Sequence, residues 1–275
     1  GAGKDTLDFS AYRTGRSIVL TAAGEDGFSG KEAAVAGGFA NIDDLIGSGD
    51  AGVTDSLTGV NAQGTFRLGT EHDLAIAEYE SGGKVLTFSG IESLYGGSAN
   101  DLFEIRGQQS YDLYGGAGDD SFRFIGAAEL DGAIDGGNGV NTLDYGFANY
   151  KDTEGNDVGV IVDLSKGQAT GVSNALEGKV QNISNLIGSA YDDTLIGNDR
   201  DNVIAGGKGN DILEGRGGYN TYIFEEEWGE DTIVNASGQG LLDLSALGVD
   251  WHLVIDLTAK TITVNAALSG ITNNE

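Results

Sequence analysis

The sequence predicts an all-β protein built as a parallel β-solenoid, with short strands joined by turns rich in glycine and aspartate. The first observation is a nine-residue period over 188–223, which divides into GSAYDDTLI, GNDRDNVIA, GGKGNDILE and GRGGYNTYI. A fixed short period is typical of stacked repeat architectures. The second observation is the 47 glycines in 275 residues, because each glycine in a helix interior costs about 0.5–1 kcal/mol relative to alanine.

Two segments fit the pattern G-G-x-G-x-D-x-U-x at every position, GGAGDDSFR at 115–123 and GGKGNDILE at 206–214. GGSANDLFE at 96–104 and GGNGVNTLD at 136–144 are partial copies, with alanine in place of a glycine and asparagine in place of the aspartate. On these motifs the chain resembles the repeats-in-toxin (RTX) family of hemolysin-type calcium-binding nonapeptide-repeat proteins. The resemblance implies a β-roll or β-helix that binds calcium, within a fragment of a large secreted or surface protein.

The chemistry of the motif also points to calcium. Glycines allow positive φ, so a six-residue turn can bend tightly and direct its carbonyl oxygens to one point. Aspartate adds a charged oxygen, and calcium takes six to eight oxygens at roughly 2.3–2.6 Å. The x-U-x residues alternate, so the apolar member, Phe122 or Leu213, should point inward from a very short strand. We predict several calcium ions. The predicted ligand positions are Asp101, Gly116, Gly118, Asp120, Asp193, Asp199, Asp201, Gly207, Gly209, Asp211 and Asp231.

If two nonapeptides make one coil, as the resemblance to RTX β-rolls implies, each loop stacks on the loop eighteen residues away. This places the loop ending at Asp193 on the loop ending at Asp211, with 228–231 as a further candidate for the stack. In the middle of the chain the residues at the aspartate position are Asp101, Asp120 and Asn141. Their separations of nineteen and twenty-one residues predict one such loop per coil, with longer excursions on the opposite edge.

On the opposite edge of the nonapeptide array, asparagine stands at the aspartate position. The residues are Asn202 and Asn220. Because a neutral amide binds calcium more weakly than a carboxylate, we expect the two edges to be occupied unequally. Asp199 and Asp201 are the carboxylates that could compensate on this edge.

Further strands are predicted where apolar and polar residues alternate. These segments are 17–21, 84–88 and 159–164. In the tail, alternation over 253–257 and again over 262–264 predicts a hairpin or a last pair of solenoid strands. One helix is predicted at 29–36, with Ser29 as its N-cap and Glu32 at the third helical position.

The sequence contains one long module that begins twice, with its two starts 136 residues apart. The matching pairs are GAGKDTLDF (1–9) with GNGVNTLDY (137–145), FANIDDLIGS (39–48) with VQNISNLIGS (180–189), and DSLTG (55–59) with DTLIG (193–197). We predict a first solenoid module at 1–135 that opens within a repeat, a second at 136–240, and C-terminal strands at 241–275 that could form a cap. The opening within a repeat leads us to expect further repeats of a longer chain. Coils formed by the divergent segments 60–95 and 146–180 are expected to lack metal.

The chain is strongly acidic, with 43 Asp and Glu residues against 15 Lys and Arg and a formal net charge of −28. Such a chain repels nucleic acid and anionic membranes, which favours divalent cations as partners. Hydrophobic residues make up 39% of the sequence, too large a share for a simple disordered tail. The absence of cysteine excludes disulfides and thiolate metal sites. No run of about eighteen apolar residues occurs, so we expect no membrane insertion.

We do not expect an enzyme. With His72 and His252 as the two histidines, the zinc motif H-E-x-x-H is absent, and no G-x-S-x-G nucleophile elbow occurs. Carboxylate pairs at 119–120 and 192–193, with a basic residue such as Arg123, could serve polysaccharide cleavage. The metal-loop interpretation explains these pairs better, because one member of each stands at the aspartate position of the nonapeptide.

Aromatic residues offer a second alternative. Tyr79, Tyr219, Tyr222, Trp228 and Trp251 could form a platform for a sugar ring. In a thin solenoid, however, aromatic side chains at the U position more often fill or cap the core. The core interpretation is therefore preferred.

These observations favour a calcium-binding structural or adhesive segment of a secreted bacterial RTX-type surface protein. The resemblance implies type I secretion and folding outside the cell, where each calcium site adds about 2.7 kcal/mol of stability when calcium is 100 times its Kd. Calcium is the expected partner, with extracellular polysaccharide or a cell surface as candidates and nucleic acid excluded. Two alternatives stay open. One is a noncatalytic RTX module of an extracellular enzyme, whether polysaccharide-active, protease or lipase, and the other is a calcium-dependent carbohydrate-binding module.

Overall fold

The structure is a computed structural model that describes residues 3–50, 52–234, 239–246, 252–256 and 261–265. Over these ranges the protein is all-β, with a short 3₁₀ helix at Ser173–Ala175 and no α-helix. In the described part of the chain, no helix has the length and apolar character needed to span a bilayer.

The strands are short, and most are separated by turns that contain glycine, aspartate or asparagine. In the first half of the chain they are β1 (Thr6–Asp8), β2 (Ser17–Ala23), β3 (Phe28–Lys31), β4 (Phe39–Ile42), β5 (Asp44–Ile46), β6 (Ser56–Thr58), β7 (Thr65–Leu68), β8 (Ala77–Ser81), β9 (Lys84–Ser89), β10 (Ser93–Gly97), β11 (Leu102–Gln109), β12 (Asp112–Gly116), β13 (Ser121–Leu130) and β14 (Ile134–Asp135). In the second half they are β15 (Thr142–Ala148), β16 (Tyr150–Lys151), β17 (Asp157–Val158), β18 (Ile161–Asp163), β19 (Gln168–Ala169), β20 (Val180–Gln181), β21 (Asn185–Ile187), β22 (Thr194–Ile196), β23 (Val203–Ala205), β24 (Ile212–Glu214), β25 (Tyr219–Ile223), β26 (Glu230–Val234), β27 (Gln239–Asp243), β28 (His252–Asp256) and β29 (Thr261–Asn265).

The chain divides into two compact units, residues 1–144 with 167–183 and residues 145–166 with 184–275. In the first unit, one sheet has the strand order β1-β5-β9-β8-β7-β11-β13 and another has the order β20-β14-β12-β10-β6-β2-β3-β4. Parallel pairing of β7, β11 and β13 aligns Phe66, Phe103 and Phe122. Their rings stack at 4.9 Å between neighbouring centroids and form the buried centre of the unit.

In the second unit, β21, β23, β25 and β27 pair in one sheet, and β18, β22, β24 and β26 pair in another. Strands that follow one another along the chain from β21 to β26 therefore alternate between the two sheets. The register of the first sheet aligns Leu186 with Ile204 and Ile204 with Tyr222, and that of the second aligns Leu195 with Leu213. Each of these pairs is eighteen residues apart, which confirms the predicted stacking period.

The apolar residue of each nonapeptide points into the core, as predicted. Phe122 and Leu213 are fully buried, while their neighbours along the strand are partly or fully exposed. A three-residue strand such as β24 presents one inward side chain, and burying a leucine contributes about 1.5–3 kcal/mol. Such strands gain stability mainly by stacking on equivalent strands.

The predicted helix at 29–36 is wrong. Its first residues belong to β3, which pairs in antiparallel fashion with both β2 and β4. The carboxylate of Glu32, expected to cap a helix, instead accepts a hydrogen bond from the N–H of Ala34 at 2.6 Å within a turn. It also pairs with the guanidinium of Arg16 at 3.3 Å. Pairing with distant strands therefore outweighs a local capping signal.

The strands predicted at 17–21, 84–88 and 159–164 are present as β2, β9 and β18. Not every neighbour is parallel, because β7, β8 and β9 form an antiparallel meander and β16 pairs with β17 as a hairpin. The meander and the hairpin fall in the divergent segments 60–95 and 146–180. Antiparallel pairing also joins β2, β3 and β4, so the departure from a purely parallel arrangement extends beyond those two segments.

The predicted hairpin in the tail is confirmed. Strand β28 pairs with β29 in antiparallel register, and β29 pairs in the same sense with β26. The proposed modules at 1–135 and 136–240 stay a prediction. They are defined by repetition in the sequence, whereas the two compact units are defined by which residues lie close together in space.

Candidate metal centre

The second unit buries a column of three aspartates at the ends of its loops. Asp193 and Asp211 immediately precede β22 and β24, Asp231 is the second residue of β26, and all three are buried. The main-chain N–H of Asp193 donates to Oδ1 of Asp211 at 2.8 Å, and that of Asp211 donates to Oδ1 of Asp231 at 2.9 Å. Oδ1 of Asp193 accepts from the N–H of Val160 at 2.6 Å. One oxygen of each carboxylate is thus held by another loop.

The first unit repeats this arrangement. The N–H of Gly64 donates to Oδ1 of Asp101 at 2.7 Å, and the N–H of Asp101 donates to Oδ1 of Asp120 at 2.8 Å. The N–H of Asp120 in turn donates to Oδ1 of Asn141 at 2.9 Å. The loops nineteen and twenty-one residues apart therefore stack as predicted.

The other carboxylate oxygen has no hydrogen-bond donor in three of these aspartates. Among the described residues, nothing donates to the buried Oδ2 of Asp101, Asp120 or Asp211. This oxygen lies beside the first glycine of its own loop. A β-carbon built on Gly115 would come closer than 3.0 Å both to Oδ2 of Asp120 and to the carbonyl oxygen of Gly136. Both oxygens thus lie close to the same glycine, and Oδ2 is a buried polar atom that a cation or a proton on the carboxyl group would satisfy.

The surroundings of these carboxyls disfavour a negative charge. Burial, with added repulsion from the charges of Asp231 and Asp193, raises the pKa of Asp211 to about 8. Burial likewise raises the pKa of Asp101 and of Asp231 to about 7, and the pKa of Asp120 and of Asp193 to about 6. A divalent cation would reverse this penalty, because it stabilises the ionised carboxylate.

The four predicted turn glycines adopt backbone conformations that side chains avoid. The φ angles are +103° at Gly116, +116° at Gly118, +100° at Gly207 and +122° at Gly209. A β-carbon on Gly207 would also come closer than 3.0 Å to the carbonyl oxygen of Ser189 in the loop below. Glycine is needed here both for the turn and for close stacking of the loops, while its role as a carbonyl ligand stays a prediction.

The opposite loops of the second unit carry the predicted asparagine column. Asn202 and Asn220 are buried, and the N–H of Asn202 donates to Oδ1 of Asn220 at 3.0 Å. Asp199 and Asp201 are exposed on these loops, and Oδ1 of Asp201 accepts from the N–H of Tyr219 at 2.7 Å. These two carboxylates therefore lie on the predicted loops but outside the buried asparagine column, and their role as compensating ligands stays a prediction.

Two acidic residues of the same kind were not among the predicted ligands. Asp55 is buried, and its carboxylate accepts from the N–H of Arg16 at 2.6 Å and from the N–H of Ser48. Its own N–H donates to Oε2 of Glu92 at 2.7 Å, so Glu92 takes the place of an aspartate in the next loop. The internal repeat that aligns 55–59 with 193–197 was the signal for Asp55, whereas no motif marks Glu92.

The donor set fits calcium better than a transition metal. No three His, Cys, Asp or Glu side chains come together in the part of the chain that the structure describes. A site here would combine one or two carboxylates with main-chain carbonyl oxygens, and such all-oxygen sets suit a hard cation. Zinc, by contrast, requires about four ligands drawn mainly from Cys and His. The buried Oδ2 atoms of Asp101, Asp120 and Asp211 are the groups that such a cation would satisfy.

The aromatic residues considered as a sugar platform are mainly core residues. Tyr79, Tyr222 and Trp228 are at most 2% exposed, so the platform is wrong for these three. Tyr219 is exposed, and Trp251 lies outside the described residues.

Arg123, considered above as a basic residue for polysaccharide cleavage, is held on the sheet surface by acidic neighbours. Its Nε donates to Oδ2 of Asp144 at 2.8 Å, and its Nη1 lies 3.7 Å from a carboxylate oxygen of Glu104. The guanidinium is thus engaged across neighbouring strands.

Comparison with protein-family models matches residues 187–222 to the RTX calcium-binding nonapeptide repeat, in four copies. The chain contains RTX calcium-binding repeats. These RTX repeats include Asp193 and Asp211 of the buried column and form a calcium-binding repeat module. The loops that end at Asp101 and Asp120 lie outside the matched residues but have the same hydrogen-bonding geometry as the RTX loops. A comparison with curated proteins gives no match.

Proposed function

We propose that this chain is a calcium-dependent β-solenoid segment of a secreted RTX-type protein, with a structural or adhesive role. The observation that carries the proposal is Oδ2 of Asp211, a buried oxygen inside the RTX repeats that receives no hydrogen bond from the described residues. When bound, calcium supplies positive charge at this point. Asp211, with one neighbouring carboxylate, Asp193 or Asp231, and main-chain carbonyl oxygens of these loops, would hold it.

A closed solenoid is supported by the way the RTX strands alternate between two sheets. Along the chain, β21, β23 and β25 fall in one sheet and β22 and β24 in the other, with a constant step of eighteen residues. Repeats of this kind contact mainly their nearest neighbours, so stability grows as repeats are added.

Folding controlled by calcium is supported by charge. A net charge of −28 opposes compaction, and the buried carboxylates add a local penalty. Each bound ion adds stability by mass action, about 2.7 kcal/mol when calcium is 100 times its Kd. The chain would thus be only marginally folded where calcium is scarce, and calcium would complete its folding after export.

A noncatalytic role is supported by how the acidic pairs are used. The inner members of the pairs at 119–120 and 192–193 are buried in loop stacks, and Arg123 is occupied by Asp144. The absence of cysteine agrees with a segment that is stabilised outside the cell by metal and packing.

The experiment is a calcium titration of the chain followed by far-UV circular dichroism, with magnesium as the control ion. We expect a cooperative gain of β-structure in calcium and little change in magnesium, because magnesium demands near-ideal octahedral geometry and gives up its waters reluctantly. Calorimetry on the same samples counts the ions. A β spectrum that is unchanged by a chelator, with no heat of calcium binding, would overturn the proposal.

The substitution Asp211→Asn tests the site directly, with Asp192→Asn as the matched control. Asp192 is exposed, and its Oδ1 accepts from the N–H of Asn210 at 2.8 Å, a bond that an amide oxygen retains. We expect calcium affinity to fall at least tenfold for Asp211→Asn and to change little for Asp192→Asn, since of these two residues Asp211 is the one with a buried carboxyl oxygen that lacks a donor.

A further inference from the structure

Asparagine replaces aspartate at three of the stacked loop positions, and its amide group is satisfied in each. The Nδ2 atoms of Asn141, Asn202 and Asn220 donate to main-chain carbonyl oxygens at 3.0, 2.9 and 3.0 Å. The acceptors are the carbonyl oxygens of Asn182, Ser184 and Gly217, respectively. All three asparagines are buried, and the hydrogen bond of Asn202 is buried as well.

The first unit allows a direct comparison of the two residue types. A β-carbon on Gly115 would crowd Oδ2 of Asp120 and the carbonyl oxygen of Gly136. In the next loop of the same stack, a β-carbon on Gly136 would crowd Nδ2 of Asn141 and the carbonyl oxygen of Asn182. The same place therefore holds two oxygens in the aspartate loop, but an N–H donor and an oxygen in the asparagine loop.

The orientation of the amide is set by its other contact. Oδ1 of Asn141 accepts from the N–H of Asp120 at 2.9 Å, so Nδ2 is the atom left to face the carbonyl oxygen of Asn182. In the second unit, Oδ1 of Asn220 accepts from the N–H of Asn202 in the same way. Asn202 has the reverse orientation, because its Oδ1 accepts from the N–H of Asn198 and lies beside Gly197, while its Nδ2 donates to the carbonyl oxygen of Ser184. A flipped amide would bring N–H against N–H and oxygen against oxygen, which costs two hydrogen bonds.

We propose that asparagine at this position replaces the calcium ion, because its amide closes the loop with a hydrogen bond where aspartate requires a cation. The inference rests on the proposed calcium function and divides the loops into two kinds. Calcium-requiring loops end at Asp101, Asp120 and Asp211, and calcium-independent loops end at Asn141, Asn202 and Asn220. In the second unit the loops that end at Asn202 and Asn220 would therefore keep their hydrogen bonds without metal. The loop that ends at Asp211 would be completed only when calcium binds.

The test is a reciprocal pair of substitutions in the whole chain, Asp120→Asn and Asn141→Asp. Thermal unfolding in a chelator and in calcium, with calorimetric ion counting, gives the readouts. In the chelator we expect Asp120→Asn to raise the unfolding midpoint by about 2–4 °C and Asn141→Asp to lower it by a similar amount. In calcium, Asp120→Asn should bind fewer ions, while Asn141→Asp should regain its lost stability and bind no fewer ions than the parent chain.

Asp119→Asn is the control for removal of one charge. Asp119 is exposed beside Asp120, and its Oδ1 accepts from the N–H of Val140 at 2.8 Å, which asparagine can also do. If Asp119→Asn stabilised the calcium-free chain as much as Asp120→Asn, net charge and not loop closure would explain the shift, and the proposal would fail. It would also fail if Asn141→Asp left the midpoint in the chelator unchanged.

A second reciprocal pair, Asp211→Asn and Asn220→Asp, repeats the test in the second unit and serves if either first variant does not fold. The two proposals fail differently. A parent chain that binds no calcium contradicts the proposed function, although amide closure could still be seen in the chelator. A parent chain that binds calcium, with reciprocal variants that show no opposite shifts, contradicts amide closure alone.

Discussion

Asp211 shows how one buried carboxylate can be fixed in place by one oxygen while its other oxygen lacks a hydrogen-bond donor. Oδ1 accepts a main-chain hydrogen bond from Asp193, which holds the side chain in one position, while Oδ2 has no donor among the described residues. Leaving a buried polar atom unsatisfied costs about 1–3 kcal/mol, and more when it is charged. The calcium-free protein is therefore penalised at the very atoms that a cation would stabilise, and the ligands need little rearrangement when it binds.

The raised pKa values predict how stability depends on pH. An Asp carboxyl has an ordinary pKa of 3.8, whereas burial raises the pKa of Asp211 to about 8 in the folded chain. Between these values the folded state holds a proton that the unfolded state has lost, so calcium-free stability should fall as pH rises from about 4 to 8. Urea unfolding in calcium-free buffer at pH 5 and pH 8 measures this trend, which should be weaker in Asp211→Asn.

Calcium binding should show the opposite pH dependence, because calcium competes with these protons. Apparent calcium affinity is expected to rise from pH 5.5 to pH 8, with protons released on binding near neutral pH. Calorimetry in buffers of different ionisation enthalpy detects that release. A binding heat that is independent of the buffer at pH 6.5 would contradict the assignment of Asp101 and Asp231, whose pKa values burial raises to about 7.

Gly207 tests the turn geometry. Alanine at Gly207 would be strained at a φ of +100° and would press against the carbonyl oxygen of Ser189, so we expect a loss of about 1–3 kcal/mol even in saturating calcium. Gly155 is the control, since its φ is +88° but a β-carbon there meets no atom within 4 Å. Urea unfolding of Gly207→Ala and Gly155→Ala separates backbone strain, common to both, from loss of loop stacking, which should appear only at Gly207.

The strands of this protein are too short to be stable individually, and each is stabilised by packing against its neighbours. A strand such as β24 contributes one inward side chain, Leu213, which stacks between Leu195 and Ile233 of the adjacent strands. In the first unit the corresponding row is aromatic, with Phe66, Phe103 and Phe122 stacked in sequence. Because isolated strands of this length are unstable in water, the row of inward residues decides whether the sheets form.

Phe103 lies in the middle of the aromatic row, so its removal should affect both neighbours. We expect Phe103→Ala to lower the free energy of unfolding by about 3–5 kcal/mol through cavity formation, with little change in the number of calcium ions bound by the folded chain. Tyr95→Ala is the control, because Tyr95 stacks on Tyr114 at 4.4 Å on an exposed face. Equal losses for the two variants would show that the inner row has no special role.

For the whole molecule, charge sets the conditions under which these weak elements can assemble. The formal charge of −28 over 275 residues means that acidic side chains repel one another even when they are not in contact. Salt screens this general repulsion. The buried carboxylates are different, because a hydrated sodium ion does not substitute for a divalent ion at a desolvated oxygen. General screening and site binding should therefore have distinguishable effects.

We expect 0.5 M sodium chloride to raise the unfolding midpoint of the calcium-free chain only slightly and not to reproduce the calcium-induced gain of β-structure. At that ionic strength the Debye length is only about 4–5 Å, so exposed charges are almost fully screened. Far-UV circular dichroism in a chelator, with and without salt, makes the comparison. A complete transition in salt alone would mean that charge screening, and not site occupancy, controls folding.

The stacking period and the inward positions of Phe122 and Leu213 could be predicted because both are local properties, a nine-residue spacing and a two-residue alternation. Asp101, Asp120, Asp193 and Asp211 were predicted from the aspartate position of the nonapeptide, and Asp231 from its place twenty residues after Asp211. The helix at 29–36 was wrong because its residues pair with strands that lie elsewhere in the chain. Glu92 was missed because it takes the role of a loop aspartate only through the strand register that lets it accept a hydrogen bond from the N–H of Asp55.

The all-β class, the glycine turns and the acidic loops thus follow from the amino-acid sequence alone, since each depends on residues within one nonapeptide. Which loops need a cation depends on tertiary structure. Oδ1 of Asp120 is satisfied by a residue nineteen positions away, and the amide of Asn141 by a carbonyl forty-one positions away. Only the folded stack brings those partners together, and so only the stack distinguishes an oxygen that needs calcium from an amide that does not.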